Sequence, residues 1–234
     1  MQRIDLQPAY ILHTRNYRDS SLLIEALTRD FGRVSAVLRG AKSGGKVAQQ
    51  KRSLVQLFVP LLISLQGKTD LKTLTHLEAE KKTIVLEGKR LFSAMYINEL
   101  LTRLLQHYQP QPGLFTLYQW VLESLQATDF IDVVLRRFEL HLLEILGYGL
   151  SLESEVSTGE PIKAGMIYDF FPEHGLKKAS VSTVETNCQF RGEDLLAFQE
   201  NDFNLDVRRA SKRLCRLALQ PYIGTKPLKS REFF

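Results

Sequence analysis

An α+β fold is what this sequence predicts, on two observations. The first eighty positions read as short strand-like runs with no helical period between them, and apolar residues recur with a helical period after them. Turn residues punctuate the first region at short intervals, as in a small all-strand domain. The chain has 234 residues, 44% hydrophobic and 24% charged, which is ordinary for a globular protein with a real core.

Five strands are expected, over residues 10–14, 22–27, 33–39, 55–65 and 71–77. The third alternates cleanly: Val34, Ala36 and Leu38 point one way, and Arg33, Ser35, Val37 and Arg39 the other, giving a basic outer face. Pro60 inside the fourth run implies an edge or a bulge. Asp30-Phe31-Gly32-Arg33 and Gly67-Lys68-Thr69-Asp70 supply turns. Five short strands with no helical period between them suit a small closed or nearly closed barrel, of which the OB-fold is the commonest. A division into residues 1–80 and 81–234 follows from the change of period at Glu80.

Beyond it, Ile97, Leu100, Leu101, Leu104, Leu105 and Tyr108 share a helix face that Pro110-Gln111-Pro112-Gly113 interrupts. Leu114, Leu117, Tyr118, Val121, Leu122 and Leu125 mark a second helix. A third, capped by Asp129 or Asp132, runs through Leu135, Phe138, Leu142 and Leu146 until Gly147-Tyr148-Gly149 stops it. Residues 150–190 read as irregular, with short strands near 166–171 and 179–184. A last helix starts near Asp206 and ends before Pro221; the tail from Lys226 to Arg231 is too polar for core.

Charge is uneven. Residues 1–80 carry 12 Lys/Arg against 7 Asp/Glu, residues 81–202 carry 11 against 17, and residues 203–234 carry 8 against 2. Such basic ends are either solvated surface or sites that gather polyanions. No run of apolar residues is long enough to span a membrane, and Met1-Gln2-Arg3-Ile4-Asp5 lacks the apolar core of a secretory signal. Cys188 and Cys215 fit neither a disulfide framework nor a zinc site, so a cytoplasmic chain with reduced thiols is expected. His13, His76, His107, His141 and His174 are scattered, and Glu153, Glu155 and Glu160 read as solvating charges. No catalytic constellation, cofactor or metal site is expected.

The segment from Gly40 to Val47 nearly matches a phosphate-binding P-loop, with Lys46 in place but Val47 where a magnesium-binding hydroxyl belongs. The residues after it, Gln49-Gln50-Lys51-Arg52-Ser53, read as polar loop entering a strand, so nucleotide hydrolysis is the weaker reading. A flexible basic loop, with Lys42, Lys46, Lys51 and Arg52 free to meet phosphates, is the stronger. Arg15, Arg18, Arg33 and Arg39 sit around it, with Tyr17 and Phe31 at strand ends. Cations that track a phosphate backbone and rings that stack on bases are what a single strand needs; the same barrel would also suit RNA. Tyr17 and Phe31 are equally readable as plugs of the barrel ends. On the helices, Arg136 with Leu140 and Arg208 with Lys212 follow helical spacing and could rim a groove for an acidic, aromatic-anchored peptide. Ion pairs with the acidic middle segment are the alternative.

These motifs resemble the RecO family of bacterial recombination mediators and DNA repair proteins. The likeness is carried by Tyr96-Ile97-Asn98-Glu99-Leu100-Leu101, by Leu135-Arg136-Arg137-Phe138-Glu139-Leu140 leading to Leu146-Gly147-Tyr148-Gly149, and by Lys226-Pro227-Leu228-Lys229-Ser230-Arg231-Glu232. Phe31-Gly32-Arg33 and Arg39-Gly40-Ala41 fit as well. The resemblance implies an N-terminal OB-fold, a helical bundle and a zinc-ribbon-like region at about 150–190. In many members that region holds four cysteines; here it has only Cys188, with Ser157 and Thr158 where a cysteine would stand, so packing by Tyr168, Phe170 and Phe171 would replace metal. It also implies binding of single- and double-stranded DNA, annealing of complementary strands, and loading of RecA, together with RecR, onto strands coated by single-strand-binding protein, in the bacterial cytoplasm at the nucleoid. By position, Arg136, Leu140 and Arg208 would dock the acidic C-terminal tail of that coating protein.

Overall fold

The computed structural model describes residues 2–80, 84–180, 184 and 186–233. Within it the chain forms two compact units, Met1–Ala127 together with Pro227–Phe234, and Thr128–Lys226.

The first unit begins with β1 (Gln2–Tyr17), β2 (Ser21–Thr28) and β3 (Gly32–Leu38), then α1 (Lys46–Leu54), β4 (Pro60–Gly67) and β5 (Leu71–Ala79). The strands close a barrel in the order β1-β2-β3-β5-β4, and β1 returns to pair with β4. All pairings are antiparallel except β3 with β5, which run parallel over residues 35–37 and 71–73. That is the OB-fold expected. Ile11, Ile24, Val34, Leu61, Ile63 and Leu65 are at most 1% exposed and fill it. β1 is far longer than its apolar run suggests. It bends at Leu6, where φ is 45° and the register against β4 shifts, and the Leu6 N–H donates to Ser64 Oγ at 3.1 Å. Pro60 opens β4, where a missing N–H is tolerated.

The first correction concerns residues 46–54, a helix where polar loop was expected. Only Ala48 of α1 is buried, so no apolar stripe announces it. The second concerns Arg33 and Val37, expected on a solvent-facing side of β3. Val37 is buried, and the side chain of Arg33 is 13% exposed. The Arg33 Nε donates to Glu25 Oε2 at 2.9 Å, while its Nη1 donates to the carbonyls of Thr102 and, at 3.1 Å, Leu105.

Those carbonyls end α2 (Gly88–Leu104), which stops earlier than its apolar face would allow. A cation at a helix C-terminus satisfies orphan carbonyls and complements the helix dipole. Beyond the helix, Tyr108 adopts φ 57° and donates its N–H to the Arg33 carbonyl at 2.9 Å, so it packs on the barrel and does not extend the helix. Gly32 makes this approach possible: a Cβ there would lie 2.4 Å from the Gln109 carbonyl oxygen. Asn98 of α2 donates to the buried Leu12 carbonyl at 3.0 Å and accepts from Tyr118 on α3 (Leu114–Ala127) at 2.6 Å. The Tyr118 ring meets Tyr10 of β1 edge-on at 5.0 Å.

The tail is the third correction. Lys229–Phe233 forms a 3-10 turn, and Leu228 is 1% exposed. Burying a leucine contributes about 2 kcal/mol. Glu99 accepts from the backbone N–H of Lys229 and Ser230 at 3.0 and 2.9 Å and from Ser230 Oγ at 2.8 Å. Arg103 bridges Glu99 and the Pro227 carbonyl. Burial works against the Glu99 charge, yet these donors hold its pKa below the usual value.

The second unit contains α4 (Ile131–Ile145), a sheet of β6 (Ile167–Phe171), β7 (Gly175–Lys178) and β8 (Gln189–Arg191), then α5 (Gly192–Gln199) and α6 (Leu205–Leu219). Neither Asp129 nor Asp132 caps α4; its N-cap is Phe130, whose N–H donates to Thr128 Oγ1. α6 is capped by Asn204 Oδ1, which accepts from the N–H of Asp206 and Val207. β7 lies earlier than the strand expected at 179–184: Ala179, Ser180 and Val184 are not strand, and 181–183 fall outside the described residues. α5 was not foreseen. Glu155, expected to be a solvating charge, is 7% exposed and accepts from the Lys178 N–H, Ser157 Oγ and Thr158 Oγ1. The Thr158 hydroxyl and the Lys178 N–H hold its pKa below the usual value. A carboxylate thus gathers the turn that carries Ser157 and Thr158. Tyr168 and Phe170 are buried as expected, whereas Phe171 is exposed.

Replacing Arg33 with methionine leaves Glu25 half-buried without its cation and is expected to cost about 3 kcal/mol in chemical denaturation. Burial alone would raise the Glu25 pKa; the Ser35 hydrogen bond, the Arg33 charge and His107 reverse that and bring it below its ordinary 4.5. A depressed carboxylate contributes stability that is complete above its unfolded pKa and lost as pH falls through the folded one. The wild-type chain should therefore lose this contribution below about pH 4.5, and the methionine variant should show a shallower acid dependence over that interval.

Candidate nucleic-acid interface

The turn from β1 to β2, the end of β3 and the start of β5 enclose a groove of about 550 Å³. Tyr17, Arg18, Asp19, Ser20, Arg39 and Lys72 are among its lining residues. In OB-folds the face of strands 2 and 3, with the loops joining strands 1 to 2 and 4 to 5, is where oligonucleotides lie. Arg18 and Arg39 are exposed, and the Arg18 guanidinium stands 5.3 Å from the Tyr17 ring centroid. Asp19 is the one carboxylate in the lining, so the rim is net positive.

The neighbouring loop is tied down. The Lys42 N–H donates to the Ser20 carbonyl at 2.9 Å, joining residues 39–45 to the β1–β2 turn. From α1, Lys51 Nζ donates to the Arg39 carbonyl at 3.0 Å and Arg52 Nη1 to the Ala41 carbonyl at 2.6 Å. The loop is therefore braced by two of the cations expected to be free in it. Lys42 and Lys46 remain exposed, and Arg15 is exposed on β1, two residues before Tyr17.

Two of the ten residues expected at this interface face elsewhere. Arg33 is consumed by Glu25 and the end of α2, and Phe31 packs against the barrel core as a plug. Lys72 was missed. It is 4% exposed, its Nζ donates to the Gly67 carbonyl at 3.3 Å and stands 5.3 Å from the Tyr108 ring. Nothing in the alternation of β5 distinguishes it. Burial pushes the Tyr108 hydroxyl up to about 12, so it stays a neutral donor to the Asp70 carbonyl beside the groove.

The near-P-loop does lead into a helix, contrary to the expectation of a polar loop. The surrounding architecture is still wrong for a nucleotide. β3 and β4, on either side of α1, are not neighbours, and β5 between them runs parallel to one and antiparallel to the other. A P-loop needs parallel strands around its helix, and Val47, with no hydroxyl to offer, is 69% exposed.

In the second unit the expected peptide-docking residues separate. Arg136 is buried and pairs with Glu139 at 2.7 Å, so it is a brace and not a rim cation. Cys215 of α6 lies beside that pair; burial first, and then Glu139, push its thiol well up. Leu140 is half-buried. Arg208 holds Asp132 through Nε and, at 2.7 Å, Nη2, and Lys212 is exposed one turn on. Against burial, the Arg208 hydrogen bonds and charge keep the Asp132 pKa below its usual value. Phe130 and Leu205, 62% and 61% exposed, were missed as candidates; the Phe130 ring centroid is 5.8 Å from the Arg208 guanidinium. Phe130 is the N-cap of α4 and Leu205 the first residue of α6, and such helix-end positions stand apart from the apolar stripe that a periodic pattern detects.

Among the described residues no three His, Cys, Asp or Glu side chains converge as a metal site, and no helix is long and apolar enough to cross a membrane. The class defined is an OB-fold protein with a basic groove, joined to a helical unit that bears a small three-stranded sheet. Family models narrow this: Recombination protein O N terminal matches residues 1–83, and Recombination protein O C terminal matches residues 86–232. The chain is 42% identical over 231 residues to DNA repair protein RecO of Haemophilus influenzae, covering 98% of this chain and 95% of that one. It is 40% identical over 233 residues to the protein of that name from Cellvibrio japonicus, covering 99% and 97%. The chain belongs to the RecO family, and its role lies in DNA repair and recombination.

Removing the brace by Arg52→Ala should speed amide hydrogen exchange at residues 41–45 by about tenfold while leaving the barrel strands protected. Equal acceleration in β2 and β3 would show that α1 supports the whole barrel.

Proposed function

We propose that this protein is a non-catalytic DNA annealing and mediator factor. It binds single- and double-stranded DNA on the first unit, with Tyr17, Arg18 and Arg39 in the groove and Arg15, Lys42, Lys46, Lys51 and Arg52 alongside. The observation that carries this reading is the groove itself, at the oligonucleotide face of the barrel, with arginines on its rim and an aromatic ring within it. A space of that size receives an unpaired nucleotide more readily than a duplex, and stacking on a ring is indifferent to base identity. Cations outside the groove would neutralise a second strand, lowering the repulsion that opposes annealing.

On the second unit, the acidic C-terminal tail of single-strand-binding protein would dock against Phe130, Leu205, Leu140, Arg208 and Lys212. Arg208 is held by Asp132, so a tail carboxylate would share or displace that partner. What supports the reading is the exposed Phe130 ring 5.8 Å from the Arg208 guanidinium, with exposed Leu205 and Lys212 on the same helix as Arg208. Together with RecR, the protein would then help to load RecA onto the coated strand. Cytoplasmic association with the nucleoid follows from the same reading.

Charge reversal of Lys42, Lys46, Lys51 and Arg52 together should weaken oligonucleotide binding and reduce the salt slope by about 3. Unchanged affinity would overturn the assignment of these cations, and an equal preference for RNA of the same sequence would favour an RNA-binding role. Arg208→Glu should lower affinity for an acidic, Phe-terminated peptide by at least about tenfold and leave binding of naked DNA intact. Parallel loss of both would mean that the two sites are one.

A further inference from the structure

The motif Gly147-Tyr148-Gly149 plays no part in the DNA reading, yet it walls a second cavity. This pocket encloses about 230 Å³ wholly within the second unit. Tyr148 and Tyr222 form one side, stacked at 3.8 Å with their planes 15° apart. Phe170 and Ala218 belong to its lining, and Glu173 and His174 come from the turn between β6 and β7.

Glu173 adopts φ 67° in the tight hairpin turn between β6 and β7, where positive φ is the ordinary requirement of the turn. Gly175, at φ 107°, has its would-be Cβ only 2.7 Å from Val156 Cγ1, so no other residue fits there without displacing the wall. Burial raises the Tyr222 hydroxyl pKa, and the Glu173 charge and Tyr148 raise it further, which places a carboxylate within electrostatic reach of the ring pair.

We propose that this pocket receives an arginine side chain from a partner protein. The lining contains one carboxylate and neither Lys nor Arg, so a phosphate or carboxylate guest would meet like charge, with His174 the one basic side chain of the lining to offset it. An apolar guest would make no use of Glu173, which is exposed on the turn. A guanidinium satisfies both features at once: its planar face stacks on tyrosine while its N–H fork donates to the carboxylate. An ammonium fills the charge requirement without the stacking, and a whole nucleotide exceeds the space. The second unit, residues 128–226, carries 15 Asp/Glu against 12 Lys/Arg, a mildly acidic balance that favours the approach of a basic partner.

The test uses the full chain with ¹³C-labelled tyrosine and blocked amino acids as probes. N-acetyl-arginine amide should shift the Tyr148 and Tyr222 ring signals saturably. Glu173→Gln should weaken that binding by roughly tenfold, as a charge-assisted pair becomes neutral. Tyr148→Leu should weaken it too, and the blocked lysine should bind less tightly than the blocked arginine. Absence of saturable shifts, an unaltered affinity in Glu173→Gln, or an equal response to blocked glutamate or thymidine monophosphate would each overturn the proposal. Glu173 is on a surface turn, so its glutamine variant keeps the test valid even if Tyr148→Leu unfolds.

Discussion

One side chain makes a barrel and a helix into a single unit. The Arg33 guanidinium lies against the outer wall of the barrel, with a carboxylate on one edge and the last carbonyls of α2 on the other. The groups it satisfies have no inexpensive alternative: a half-buried Glu25 needs a cation, and the end of a helix needs donors. Glu25 in turn collects Ser35 at 2.7 Å and His107 at 3.0 Å, so one carboxylate fixes β2, β3 and the segment after α2. With that wall secured, Asn98 and Glu99 on the same helix are positioned for their own buried partners. The groove profits indirectly, because Tyr108 is brought onto the barrel beside β5 by the same segment.

How far this was readable in the sequence depended on whether a residue's partner lay nearby in the chain. Val34, Ala36 and Leu38 alternate with their neighbours, and the barrel wall could be read from them alone. The helices through Tyr118 and Phe138 were equally plain, since each has a full apolar stripe. Arg33 obeyed the same alternation and was misjudged, because what covers it arrives some seventy residues later. α1 was invisible for a complementary reason: with only Ala48 buried, it is stabilised by Lys51 and Arg52 reaching back to loop carbonyls, and such contacts leave no periodic trace.

The candidate sites divide along the same line. Arg18, Arg39 and Tyr17 sit at strand ends, where sequence position and location on the barrel nearly coincide, and the groove contains all three. Arg136 and Arg208 have the same spacing-based credentials, yet one is a buried brace and the other a surface cation holding Asp132. Helical spacing gives the direction of a side chain around its own axis but not what lies in that direction. Lys72 shows the limit from the other side: a buried lysine with a carbonyl partner looks, in sequence, like any solvated one.

The Glu99 clip has a bearing on how the molecule comes into being. Residues 1–127 hold nearly all of the first unit, but the donors that satisfy Glu99 arrive at residues 229 and 230. Everything in the second unit must leave the ribosome before those donors do, and domains generally fold as they emerge. The second unit is thus synthesised as an excursion from an unfinished first one. Until the last turn docks, Glu99 and Arg103 hold their places on α2 with part of their hydrogen bonding left to water. The beginning of this chain is completed by its end.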